Sequence, residues 1–232
     1  MQIGQCLNRA AEQLNDLGVS DSARLDAEVL LGSVIGKSRS YLFAYSEQNL
    51  QEAELLTFEQ LLQRRIKGEP IAYIIGCREF WSLPFKVSPH VLIPRPDTEV
   101  LVEKILARDL PNNSNVIDLG TGSGAIAVAL ASERADWHCL GVDTSLAALQ
   151  VADDNKNNLL NTDNCSLLCA NWLSAVAANS VQLVVSNPPY ICSDDSHLQE
   201  GDVRFEPSTA LVSGEDGLDD IRCICDEAYE VL

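Results

Sequence analysis

The stretch VIDLGTGSGAIAVAL, Val116 to Leu130, changes its periodicity halfway through. Val116 to Leu119 is a short apolar run carrying one carboxylate, the pattern of a buried strand. From Gly124 the sequence reads as a helix rich in alanine and valine. Between the two lie Gly120, Gly122 and Gly124, with Thr121 and Ser123 interleaved. Glycine lets a chain turn tightly and lets a ligand come close to the backbone. The first turn of the following helix leaves N–H groups without intrahelical partners beside that turn. Strand, glycine loop and helix in this order form a βα unit suited to a nucleoside-containing ligand. Residues 120–124 are therefore candidate binding residues.

The next strand, WHCLGVD, ends at Asp143, where a carboxylate can grip a ribose diol. The loop alone leaves two cofactors open. GTGSGA fits the dinucleotide pattern GxGxxG/A, so a nicotinamide dinucleotide is a rival. Asp118, two residues before the first glycine, favours S-adenosylmethionine. A carboxylate there can meet the cationic end of that cofactor, directly or through water, and has no such task beside a pyrophosphate.

The same rhythm extends in both directions. SLAALQVADDNKNN reads as a helix, and CSLLCA and VQLVVSN as two further strands. Apolar strands alternating with helices predict an α/β fold, a parallel sheet covered on both faces. Residues 1–70 differ. Ile3, Cys6, Leu7, Ala10, Leu14 and Leu17 recur at helical spacing, and Gly18 is a natural stop. A second helix runs through ARLDAEVLLGSVIG, capped by Ser20 or Asp21, and a third is marked by Leu55, Phe58, Leu62 and Ile66. A small helical domain over 1–70 is expected. The β-prone pieces of AYIIGCREFWSLPFKVS, broken by Gly76 and Pro84, predict a hairpin linker over 71–95. Pro96 then starts a helix, with Asp97 and Glu99 at its positive end. Residues 96–232 form the α/β domain.

The strand LVVSN runs into NPPYI. Proline cannot donate to a sheet ladder, so the strand stops at Asn187. Ligands of open α/β sheets bind at the carboxyl ends of the strands. Gly120, Asp143 and Asn187 should therefore open onto one crevice. The Asn187 side-chain oxygen and the Pro188 carbonyl can together hold an NH₂ group by its two hydrogens. Pro188 and Pro189 stiffen the clamp, and Tyr190 can stack on a flat group.

Composition narrows the partners. The 232 residues carry a net charge of −18 with 46% hydrophobic residues. That is core enough for folding, and a field of that sign repels phosphate backbones. No run approaches a membrane span, and MQIGQCLNRAAEQLNDLG lacks the pattern of a secretory signal, which points to the cytoplasm. Eight cysteines and three histidines show no zinc-ligand spacing, so no metal is expected.

DLGTGSGAIAVAL, Asp143 and NPPYI resemble the class I S-adenosylmethionine-dependent methyltransferases that modify planar nitrogens. The helical front, GEPIAYIIGCREFWSLPFKVSPHVLIPRPDTE and EPSTALVSGEDGLDDIR are similar to the HemK-type peptide-chain release factor glutamine N5-methyltransferases, and the resemblance covers essentially the whole chain. It implies a Rossmann-like class I methyltransferase sheet. It also implies S-adenosylmethionine as cofactor, with S-adenosylhomocysteine as product. The substrate would be the glutamine of the GGQ motif of class I release factors. Gly120 to Gly124 would line the cofactor, Asp143 would bind its ribose, Trp172 would pack by the adenine, and Asn187 to Tyr190 would hold the glutamine. The family usually has an acidic residue before that tryptophan, where this chain has Asn171, whose oxygen can still accept from the adenine amine but without a charge-assisted bond. The family continues past the GLDDIR helix with more strands, so Leu232 is expected to end a fragment. A monomer that binds no nucleic acid or membrane is expected. The rival readings are a nucleic-acid amino methyltransferase acting on adenine N6 or guanine N2, and a cofactor-binding fragment with weak catalysis.

Overall fold

The computed structural model describes residues 1–232. The chain divides into two compact units: Met1–Gly76 with Gln199–Phe205, and Cys77–Leu198 with Glu206–Leu232.

The first unit is helical: α1 (Ile3–Asp16), α2 (Ala23–Ile35), α3 (Arg39–Ala44), α4 (Glu52–Ile66) and α5 (Ile71–Ile75). The face of α1 that carries Ile3, Cys6, Leu7, Ala10 and Leu14 is fully buried against Leu30, Leu31, Phe58 and Leu62. Each leucine so buried contributes about 1.5–3 kcal/mol. The stops fall where glycine can take a left-handed conformation, with Gly18 at φ 62° and Gly36 at φ 64°. The N-cap of α2 is Ser22, neither of the two residues expected. Beneath the core Arg65, 6% exposed, joins Asp26 (2.8 Å) and Asp202 (2.8 Å). Residues 71–75 depart from the hairpin expected there. They form α5, because Ile71, Ala72, Ile74 and Ile75 have an apolar core to pack into and Gly76 closes the turn at φ 74°.

The second unit opens with the hairpin itself, β1 (Cys77–Phe80) and β2 (Leu83–Lys86), paired antiparallel. Then come α6 (Asp97–Leu106), β3 (Asn115–Leu119), α7 (Ala125–Glu133), β4 (His138–Asp143), α8 (Leu146–Leu159), β5 (Cys165–Cys169), β6 (Leu183–Ser186) and α9 (Asp219–Val231). The sheet is parallel in the order β5-β4-β3-β6. Alternation along β3 sets the two cores. Val116 packs with α6, α7 and the hairpin, while Ile117 and Leu119 pack on the opposite face with Val142, Leu173 and Ile224. Helix α7 is buried from Ala125 through Ala131, as an all-apolar helix must be. No helix is long and apolar enough to cross a membrane.

Candidate active site

The parallel order brings the ends of β3, β4 and β6 side by side. They open onto a cavity of about 220 Å³ whose lining includes Gly120, Gly122, Asp143, Asn171, Trp172, Asn187 and Pro189. A smaller cavity of about 50 Å³ lies along the other flank of the loop. Gly120, Thr121, Gly122, Ser123 and Asn187 line it with Arg95 and Thr98. Asn187 and the glycine loop are thus common to both.

The loop is built by left-handed turns and held by carboxylates. Gly120, Gly122 and Gly124 take φ of 67°, 55° and 80°, a region that costs other L-residues roughly 1–2 kcal/mol. Asp143 Oδ2 accepts from the Gly122 N–H (2.9 Å), and Oδ1 accepts from the Ser145 N–H (2.9 Å). Ionised, the carboxylate has about four acceptor positions, so two remain for a ligand. Trp172 forms part of the wall with φ 43°, a rare conformation for a bulky residue. Its ring would lie 3.5 Å from a Cβ on Gly120, so wall and loop fit each other closely.

Asp118 lies under the loop rather than on either lining. It shares the α7 side of β3 with Val116, two residues before it. Its Oδ2 accepts from the Thr121 hydroxyl (2.6 Å) and the Ala127 N–H (3.2 Å), while Oδ1 is buried without a partner. Burial, with the Asp143 charge adding to it, pushes its pKa up from 3.8 to about 7 against those two hydrogen bonds. This geometry makes Asp118 a support of the loop. Of the two modes expected from sequence, directly or through water, direct contact with a ligand's cationic end has no counterpart on the cavity lining. Gly124 serves as the N-cap residue of α7.

The β6 end is rigid for a different reason. After Pro188 and Pro189 the chain is pinned again: the Tyr190 and Ile191 N–H groups both donate to Leu211 O (3.2 and 2.9 Å), and Ser213 N–H donates to Ile191 O (3.0 Å). Gly217, at φ 75°, backs this segment, where a Cβ would fall 2.4 Å from Tyr190 O. Tyr190 is 61% exposed and, like Pro188, outside both linings.

Sequence reasoning assigned no role to several residues that the fold brings to the site. His90, Val91 and Leu92 come from the segment before Arg95, and Pro207, Thr209 and Ala210 from the EPSTA stretch; all line the larger cavity, as does Asp220 at the start of α9. Arg95 joins the two segments: its Nη2 donates to both carboxylate oxygens of Glu206 (2.8 and 2.9 Å), whose side chain is fully buried. The signal was present, since both stretches stand out in the sequence, but their partnership spans more than a hundred residues.

The lining discriminates between cofactors. It carries two carboxylates, Asp143 and Asp220, and no lysine or arginine. In the larger cavity a cationic ligand with a diol and a flat base meets both carboxylates, while the arginine beside the loop, Arg95, lines only the smaller cavity. The residues present therefore fit S-adenosylmethionine.

Comparison with known proteins agrees. Residues 5–76 match the family model described as PrmC N-terminal domain, and residues 96–202 the one described as methyltransferase small domain. The chain is 49% identical over 232 residues to the release factor glutamine methyltransferase of Salmonella typhimurium, covering 100% of this chain and 82% of that one. The Escherichia coli protein of the same name is 48% identical over 221 residues (95% and 79%). That of Vibrio cholerae is 49% identical over 231 residues (99% and 80%). At this identity and coverage, the chain belongs to the family of release factor glutamine methyltransferases.

Proposed function

We propose that the chain transfers a methyl group from S-adenosylmethionine to the side-chain amide nitrogen, N5, of the GGQ glutamine in class I peptide chain release factors, in the cytoplasm. The observation that carries this reading is Asn187, a side-chain amide on a proline-stiffened strand end, on the lining of both cavities beside the glycine loop.

Gly120, Gly122, Asp143, Asn171 and Trp172 would hold the cofactor. When bound, it supplies a methyl group already activated on a sulfonium. The protein's task is the nucleophile. An amide nitrogen is poor because its lone pair is delocalised into the carbonyl, and removing its proton outright is too costly near neutral pH. The Asn187 oxygen and the Pro188 carbonyl would accept from the two hydrogens of the substrate NH₂. Two fixed acceptors favour the more positive nitrogen that develops as its lone pair is committed, and the methylated nitrogen then releases one proton to leave a neutral N-methyl amide. Fixing that nitrogen in one place can supply about 7–11 kcal/mol of barrier reduction. The larger cavity would exclude water around the reacting atoms. Residues 1–70 would contact the release factor away from the glutamine.

The experiment is mass spectrometry of a release factor incubated with the enzyme and S-adenosylmethionine. The expected result is a gain of one methyl, located on glutamine by fragmentation. Methylation of DNA or RNA in place of the protein would favour the nucleic-acid reading instead.

A further inference from the structure

The start of α6 holds Thr98 against Asn187. The Asn187 Nδ2 lies 3.4 Å from Thr98 Oγ1, with the amide donating. That is long for a hydrogen bond, as contacts in ligand-free active sites often are before substrate tightens them. Thr98 itself is fixed from several directions. Its N–H donates to Arg95 O (3.0 Å). Arg95 is clamped bidentately by the buried Glu206. The next residue, Glu99, accepts from the Trp81 N–H of the hairpin turn (2.8 Å). These contacts fix the backbone that carries the hydroxyl, beside an otherwise rotatable amide.

The orientation of that amide decides what it can do. An asparagine side chain presents an acceptor at one end and a double donor at the other. Turned one way, its oxygen faces an incoming NH₂. Turned the other way, two NH₂ groups confront each other and no hydrogen bond forms. A threonine hydroxyl accepts the Nδ2 hydrogen in the first orientation and would donate to the amide oxygen in the second, so the incoming NH₂ selects the first and the hydroxyl then holds the amide in it. We propose that Thr98 is a positioning residue: by taking the Asn187 side-chain NH₂, it holds the amide oxygen toward the substrate glutamine. The inference rests on the glutamine-methylating role given to Asn187 above. The Arg95–Glu206 pair acts one step further back by holding the turn that presents Thr98.

The test compares Thr98→Val, which keeps the shape and removes the hydroxyl, with Thr98→Ser, which keeps the hydroxyl. Single-turnover methylation of a release factor should slow by about fivefold to tenfold in Thr98→Val, the worth of one neutral hydrogen bond. S-adenosylhomocysteine affinity should stay within about twofold, and Thr98→Ser should recover most of the rate. A purely structural role would lower thermal stability and cofactor affinity along with the rate, and serine would not rescue selectively. A second readout needs no turnover. The side-chain amide resonances of Asn187, identified by their loss in Asn187→Ala, should shift and lose exchange protection in Thr98→Val but not in Thr98→Ser. Unchanged resonances, or an undiminished rate in Thr98→Val, overturn the proposal. If the wild-type protein methylates no release factor, the functional reading falls, while the resonances still decide whether Thr98 holds the amide.

Discussion

The two lips of the larger cavity are made rigid by opposite means. The loop after β3 uses three glycines in left-handed turns, and its shape comes from what lies beneath and beside it: Asp118 through Thr121, and Asp143 through the Gly122 N–H. The segment after β6 uses two prolines, and its shape is set within the chain and by pairing with Leu211 and Ser213. Glycine brings backbone N–H groups close to a ligand at the cost of flexibility, so that lip needs outside support. Proline removes donors and flexibility together, so what remains to face a ligand is acceptors. The first lip suits a cofactor recognised by shape and hydroxyls, the second an NH₂ group that needs only acceptors.

The comparison predicts a double dissociation. Asn187→Ala should slow methyl transfer by about 10²–10³-fold, the effect of removing one preorganised polar group from an active site. S-adenosylhomocysteine should still bind within about threefold, a difference under about 1 kcal/mol. Asp143→Ala should do the reverse. It removes acceptors for ligand hydroxyls and unties Gly122 and Ser145, so affinity should fall by about 1–3 kcal/mol. Single-turnover kinetics and calorimetry on the same preparations measure both. If each variant lost rate and affinity in parallel, the lips would not be separate devices.

The glycine lip can also be probed through pH. Asp118 titrates at about 7 when folded, against 3.8 for an unperturbed carboxyl. Between those values the folded state binds more protons than the unfolded one. The contribution of this group to stability is therefore full below about pH 4. It declines by about 1.4 kcal/mol per pH unit up to about pH 7, and is flat above. Asp118→Asn removes the titration while keeping an oxygen for Thr121 and Ala127. Its stability relative to wild type should therefore rise between pH 5 and pH 7 and then level off. Urea unfolding across that range measures the difference. Parallel curves would mean that Asp118 keeps its charge when buried, and that the loop rests on an ionised support.

Much of this was legible in the sequence, and the gaps have a common cause. The strands and helices from Asn115 onward follow their periodicity closely, because a parallel sheet buried on both faces leaves little ambiguity in its apolar runs. Residues 71–75 misled because Ile71–Ile75 is a short apolar run, and such a run suits a strand or a helix until its packing is known. Asp118 was recognised as unusual, but its direction depends on the alternation of β3, which turns it toward α7. Arg95, Thr98 and Glu206 carried no local signal of their partnership. Glu206 and Asn187 lie far in sequence from Arg95 and Thr98, and only the folded chain brings them together.

The smallest effect should separate stiffness from chemistry at the β6 lip. Pro188 lines neither cavity, so replacing its ring by a methyl removes no contact with a ligand there. Its carbonyl, given to the substrate in the proposal above although it too lies off both linings, is kept. What Pro188→Ala changes is the freedom of the chain between Asn187 and the pinned N–H groups of Tyr190 and Ile191. The unfolded chain gains conformations, which should cost about 0.4–1 kcal/mol of stability. The folded lip also gains some freedom, and ordering it on binding should lower turnover by about twofold to fivefold, within the cost of immobilising one flexible group. Cofactor affinity should not move, since the glycine lip is untouched. Chemical denaturation, calorimetry and single-turnover rates on this one variant give all three numbers. A loss as large as that of Asn187→Ala would mean that the proline ring itself contacts substrate. No loss of rate at all would mean that the pairing with Leu211 and Ser213 already fixes the lip, and that the prolines serve only to end the strand.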